Sequence, residues 1–202
     1  MFNLTTPKGI SEIKFAGEED LVTCNIYGEI NDESIKEVQA SLRTAIRINQ
    51  EIIPVVIHSA GGDMYSGMAL YSLLRECKKK VVTILLGKAF SAAAFIFCCG
   101  DERYMSPNAT LMFHQVRIET LTGEHEMIKR EAKEVYRLNK EMLESISLHC
   151  GHDDSKFLFK MCEKIRGDVY INAKKAKRHL FADYIGIPTI NINVKTKWSI
   201  SL

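Results

Sequence analysis

Nowhere in the 202 residues does an apolar run approach the roughly 18 residues that a membrane-spanning helix needs, and no span is expected. The opening stretch, MFNLTTPKGISEIKF, lacks an uninterrupted apolar segment after a basic start, so a secretory leader is not expected either. Charge of one sign is equally lacking. Lys+Arg total 27 against Asp+Glu 25, a formal net charge of +2, and this balance points to neither nucleic acid nor an anionic membrane as partner. The six cysteines (Cys24, Cys77, Cys98, Cys99, Cys150 and Cys162) are scattered, without the dense spacing of a secreted disulfide scaffold. That pattern favours a reducing, cytoplasmic compartment. Repeats and low-complexity tracts are missing too. What remains is a globular composition, 46% hydrophobic and 26% charged, of a length that suits one domain.

The apolar patterning alternates between two periods. Leu21 to Tyr27 is a β-branched run ending at Gly28, after which Asn31 or Asp32 can cap a helix through Ile35, Val38, Leu42 and Ile46. Ile52 to His58 reads as a second strand, followed by the turn Ser59-Ala60-Gly61-Gly62 and a helix through Met68, Leu70, Leu73 and Leu74. Lys78-Lys79-Lys80 reads as the solvated C-terminus of that helix. Val81 to Leu86 is a third strand that Gly87 should break, before an Ala-rich helix from Ser91 to Cys99. Brief strands follow at Arg103 to Ser106 and Thr110 to His114, then a long helical pattern from Glu124 to His149. A helix over Ser155 to Ile165, the connector Arg166-Gly167-Asp168 and a helix over Ala173 to Leu180 complete the pattern. From Pro188 onward the chain suits an edge strand or a tail. Strands alternating with helices predict an α/β fold with a largely parallel sheet covered on its faces.

In such folds functional groups collect where strands end at one rim. Gly61-Gly62 and Ser91 both leave strands, so a backbone N–H from the glycine turn can face a hydroxyl at a helix start. A serine nucleophile needs a base and fixed donors for the oxyanion, and His114 at a strand end supplies the base type. Read alone, Ser91 is equally a helix cap and His114 a core or interface histidine. Asp168 has competitors for a third, orienting role in Asp101, Asp153 and Asp183. His149, Cys150, His152, Asp153 and Cys162 invite a zinc reading, but their spacing matches no standard finger, and a helix end capped by Gly151 explains the same residues. No metal site is expected.

HSAGGDMYSGMALYSLL, GKAFSAAAF and SPNATLMFHQV, in that order, resemble the proteolytic subunit of Clp proteases (ClpP), whose matching elements are an SPGG turn, a serine at a helix start and an HQP strand end. The likeness runs from about Leu21 to Ile187, including RGDVYINAKKAKRHLFADYIG. It implies a single ClpP/crotonase-like domain of repeated ββα-type units, with an N-terminal segment (1–20), a handle region (115–150) with a long helix, and a C-terminal tail (188–202). It further implies Ser91 as nucleophile, His114 as base and Asp168 as orienting carboxylate, leaving Asp183 structural. The oxyanion hole would be the backbone N–H groups of Gly62 and Ala92, with Gly61, Gln115, Val116 and Arg117 along the bound substrate. Ala60 stands where the family has proline, and Ala92-Ala93 where it has Met-Gly.

The resemblance implies a serine endopeptidase of stacked heptameric rings acting on polypeptides, without cofactor, ATP being used only by an AAA+ unfoldase partner of the Clp type. Two alternatives share the fold: a catalytically inactive ring subunit, and a crotonase-like acyl-CoA enzyme that also uses two backbone amides as an oxyanion hole.

Overall fold

In the computed structural model the described residues are 2–6, 9–13, 21–115 and 124–192, with side chains described for 21–115 and 124–188. A seven-stranded sheet is built from β3 (Cys24–Ile30), β4 (Ile52–Gly62), β5 (Lys80–Phe90), β6 (Glu102–Met105), β7 (Thr110–Phe113), β8 (Val169–Asn172) and β9 (Tyr184–Ile185). Its main path runs β3-β4-β5-β6-β9 with every neighbour parallel. Near-continuous apolar sequence in β4 and β5 suits strands buried on both faces.

Strands from the first and last described segments pair outside this sheet. β1 (Phe2–Thr6) pairs antiparallel with β2 (Gly9–Ile13) and with β10 (Thr189–Ile192), forming a three-stranded sheet. Of the edge strand or tail read from Pro188 onward, Thr189–Ile192 form a strand, whereas the N-terminal hairpin was not anticipated.

Six helices complete the described residues: α1 (Asp32–Arg47), α2 (Met64–Arg75), α3 (Ala92–Phe97), α4 (His125–His149), α5 (Phe157–Ile165) and α6 (Ala173–Arg178). Asn31 caps α1 with a full capping box, its Oδ1 accepting from the Glu33 and Ser34 N–H groups. Asp63 caps α2 through the Ser66 N–H at 2.7 Å, and Ser66 Oγ lies 3.2 Å from Asp32 Oδ1, joining the two helix starts. Helix α2 ends at Arg75, so the lysine run does not close it: Lys80 opens β5 and pairs with Glu102 at 2.5 Å.

The helices bury their apolar stripes against one face of the sheet, where Ile26, Val55, Ile57, Leu70, Leu85, Phe97, Leu143 and Phe181 share one core. The opposite face carries a smaller cluster of strand residues, Ile52, Val82, Ile84 and Tyr104, flanked by half-buried Val56, Leu86 and Tyr184. Buried Gln50 ties two strands at their base: its Oε1 accepts from Val22 N–H, and its Nε2 donates to the Val22 and Ile52 carbonyls.

β3 runs on through Gly28 to Ile30, and β4 and β5 also extend beyond the sequence expectation, these two leading to the rim. β4 continues through Ser59-Ala60-Gly61-Gly62 instead of turning there. Gly87 does not break β5: a side chain there would sit 2.7 Å from His58 Nδ1, so the glycine makes room for the His58 ring. At that point β5 changes partner. Val82 to Leu85 pair with β6, whereas Lys88 to Phe90 pair with β7.

Candidate active site

The rim is assembled by three neighbouring strand ends. Phe90 closes β5 opposite Met112, and the Ser91 N–H donates to the Met112 carbonyl at 2.9 Å. β7 and β8 run antiparallel, with Met112 opposite Tyr170 and Phe113 opposite Val169. One step beyond that last pair, His114 and Asp168 are opposite positions. His114 and Asp168 thus flank the ends of two paired strands, each just outside the last residue that faces the core. The register therefore brings all three candidate residues to one rim.

Ser91 has an unusual backbone for a residue with a side chain, φ 53 and ψ −124, between the end of β5 and the start of α3. Holding a non-glycine residue there costs of the order of 1–3 kcal/mol. Its hydroxyl makes no capping hydrogen bond, although Ser91 occupies the cap position of α3. The capping alternative is thus unsupported.

Gly61 explains how the chain fits around this turn. A Cβ on Gly61, whose φ is +94, would lie 2.6 Å from the Phe90 carbonyl oxygen, 2.9 Å from Ser91 Cβ and 3.2 Å from the Ala92 nitrogen. No larger residue lets the two strand ends approach so closely. Buried Ser59 holds the glycine turn from beneath, its Oγ accepting from the Gly61 N–H at 3.0 Å and donating to the Gly28 carbonyl at 2.5 Å. Beyond the serine, Ala92 packs against Gly67 of α2, where a Cβ would come within 2.9 Å of the alanine methyl. Hydrogen bonds within α3 begin with Ala94 and Phe95, which donate to the Ser91 carbonyl. The Ala92 N–H, in the first turn, has no acceptor from its own helix.

His114 is half-buried, and its Nδ1 lies 2.5 Å from the Gln115 carbonyl oxygen. A carbonyl only accepts, so Nδ1 carries the proton and Nε2 the lone pair. In this structure the Gln115 carbonyl is what holds the ring. Asp168 is half-buried too, with the Tyr170 hydroxyl 3.5 Å from its Oδ2, the outer limit of a hydrogen bond. Val116 and Arg117, expected along the substrate, lie outside the described residues.

Two of the competing aspartates, Asp183 and Asp101, have partners of their own. Asp183 binds Arg103 through both oxygens. Asp101 accepts from Arg75 and from the Val81 N–H. Among the described residues no group of His, Cys, Asp and Glu could hold a metal ion.

Several site residues escaped the sequence reading. A cleft of about 420 Å³ beside the glycine turn is lined by Gly61 and Gly62 together with Glu29, His58 and Lys88. Phe90, Met112 and Tyr170 form an apolar row across β5, β7 and β8, with Phe90 and Tyr170 edge to face at 5.8 Å. The signal available was alternation: His58 and Lys88 are polar interruptions in the strands leading to the glycine turn and to Ser91.

A mostly parallel sheet with helices packed on one face defines an α/β protein. The chain belongs to the Clp protease family, a serine peptidase family, whose sequence model, described as Clp protease, matches residues 19–188. It is 31% identical over 165 residues to the ATP-dependent Clp protease proteolytic subunit 1 of Bifidobacterium longum (strain NCC 2705), covering 78% of this chain and 67% of that protein. It is 29% identical over 164 residues to the ATP-dependent Clp protease proteolytic subunit 2 of Corynebacterium jeikeium (strain K411), covering 78% and 75%. No described helix is long and apolar enough to cross a membrane.

Proposed function

We propose that this chain is a serine endopeptidase subunit that hydrolyses polypeptides through Ser91, His114 and Asp168, working in stacked heptameric rings fed by a Clp-type AAA+ unfoldase. The observation that carries this reading is the meeting of three strand ends, with Ser91 held at φ 53 beside Gly61. His114 Nε2 takes the Ser91 proton as the hydroxyl oxygen attacks the peptide carbonyl, and later returns it to the leaving amine. The Gly62 and Ala92 N–H groups receive the oxyanion, while Asp168 replaces the Gln115 carbonyl as acceptor for His114 Nδ1. Water then hydrolyses the acyl-enzyme, and neither metal nor cofactor takes part. ATP is the unfoldase's requirement.

Assembly is supported by the second sheet face. Its cluster contains only strand residues, with Val56, Leu86 and Tyr184 half-buried, the kind of surface that other chains cover. A cytoplasmic location is consistent with six cysteines that are all free thiols.

The test is labelling with a fluorophosphonate probe and mapping the modified residue by mass spectrometry. Label on Ser91, lost in Ser91→Ala and His114→Ala, is expected. A folded, assembled sample that takes no label would leave the inactive ring subunit as the better reading.

A further inference from the structure

Just before the glycine turn and Ser91, the pairing of three neighbouring strands slips at one level. Between β4 and β5, Ile57 faces Leu85 and Ser59 faces Ala89, so Leu86, Gly87 and Lys88 stand against His58 alone. Between β3 and β4, Tyr27 faces His58 and Glu29 faces Gly61, which leaves Ser59 and Ala60 opposite Gly28, itself at φ +76. Extra residues of this kind bend a strand and re-aim its side chains, and they gather beside active sites. Here they open the cleft of about 420 Å³, walled by Glu29 of β3, His58 of β4, Lys88 of β5 and the glycine turn.

The cleft adjoins the serine. Gly61 lines it and also lies against the Phe90 carbonyl and Ser91. Lys88 precedes Ser91 by three residues of extended chain, about 10 Å. The framework around it is held in place. Ser59 Oγ bridges the Gly28 carbonyl and the Gly61 N–H, and the His58 ring fills the space that a side chain at position 87 would need.

Charge pairing within the cleft is missing. Lys80 opens the same strand and pairs with Glu102, but among the described residues Lys88 and Glu29 have no ion-pair partner and His58 makes no hydrogen bond. Lys88 is half-buried, whereas Glu29 and His58 are exposed. A cation withdrawn from water acts through a lower dielectric than a carboxylate in open solvent, whose field is screened. Lys88 therefore sets the sign of the group the cleft prefers, and a ring N–H of His58 adds a donor of the same preference.

We propose, resting on the peptidase reading above, that this cleft is a substrate subsite for an acidic side chain. The Asp or Glu it takes lies within about three residues of the scissile bond, the reach from Lys88 to Ser91. Lys88 is the counter-charge and the specificity-determining residue, with His58 as a second donor and Glu29 as an opposing charge at the mouth.

Two measurements test this. In the first, the full chain digests a reduced, carbamidomethylated protein, and the cut sites are mapped by mass spectrometry. Wild type should cut about two- to five-fold more often where Asp or Glu, rather than Asn or Gln, lies near the bond. Lys88→Met should erase that ratio, Lys88→Glu should turn it in favour of Lys and Arg, and Glu29→Gln should raise it. The second needs no cleavage. In the Ser91→Ala chain, acetylation of Lys88 by an N-hydroxysuccinimide ester is followed by mass spectrometry, with exposed Lys36 as reference. An end-blocked alanine heptapeptide with a central glutamate should slow modification of Lys88 several-fold and leave Lys36 unchanged, and its glutamine counterpart should do neither. Equal protection by the two peptides, or protection by neither, would overturn the acidic subsite, as would a cutting ratio that survives Lys88→Met. Failure of the peptidase reading shows separately, as wild type that takes no fluorophosphonate label, and the protection measurement then decides the cleft by itself.

Discussion

Two aspartates near the end of the chain sit in contrasting surroundings. Asp183 lies just before β9 and is bound to buried Arg103 by side chain and backbone alike, its Oδ2 also accepting the Arg103 N–H at 2.9 Å. Asp168 lies just before β8, half-buried at the rim, opposite His114, with the Tyr170 hydroxyl at the limit of hydrogen-bond distance. One region surrounds a buried guanidinium and joins β6 to β9; the other gathers polar groups at a half-buried rim. A carboxylate beside a buried guanidinium serves the fold, and the two positions differ in how deeply their surroundings are buried.

Exchanging each aspartate for asparagine sharpens that contrast. Asp168→Asn should lower kcat for peptide cleavage by about 10³–10⁴-fold with a urea midpoint close to wild type, since under the proposed mechanism it removes the carboxylate that orients the base. Equal activity in the two proteins would remove Asp168 from the site. Asp183→Asn should do the reverse and cost about 3 kcal/mol in urea unfolding, because the buried Arg103 guanidinium loses its counter-charge. An unchanged midpoint there would mean that Arg103 finds water or another partner.

Gly61→Ala probes the meeting point of the strands. Its methyl would fall 2.6 Å from the Phe90 carbonyl in a backbone at φ +94, so a loss of about 1–3 kcal/mol is expected together with loss of Ser91 labelling. Normal labelling would show that β4 and β5 can part at the rim without harm.

The smallest expected effect is on pH dependence. Burial lowers the pKa of both His149 and His152 below the usual 6.5, and His152 also stacks on Phe157 at 4.2 Å. Unfolded, these rings bind protons more readily than folded, so stability rises with pH through that region and falls as the pH drops below about 6.5. Thermal midpoints taken between pH 7.5 and 5.5 should decline, and His152→Gln should flatten the decline. A midpoint that holds steady in wild type would rule out either ring as a source of acid sensitivity.

Much of the fold was legible because β-branched runs and 3.6-residue patterns are strong signals: β4, β5, α1, α2 and α4 fall where patterning puts them. Gly87 misled the reading because a glycine usually ends a strand, whereas here it accommodates the His58 ring. β8 was hidden because Val169 to Asn172 is four residues long and its antiparallel pairing with β7 spans a separation that local pattern does not report. Ser91, His114 and Asp168 were nameable through resemblance to a family. Their shared rim depends on the register of β5, β7 and β8, and the engagement of Asp183 depends on Arg103, neither of which composition reveals.

The backbone of Ser91 has an implication for how this chain can drift. At φ 53 and ψ −124 glycine is the residue that suits the position best, so Ser91→Gly should melt at a higher temperature than wild type while losing the hydroxyl. Selection for thermal endurance alone would favour glycine there, so the serine hydroxyl comes at the expense of robustness.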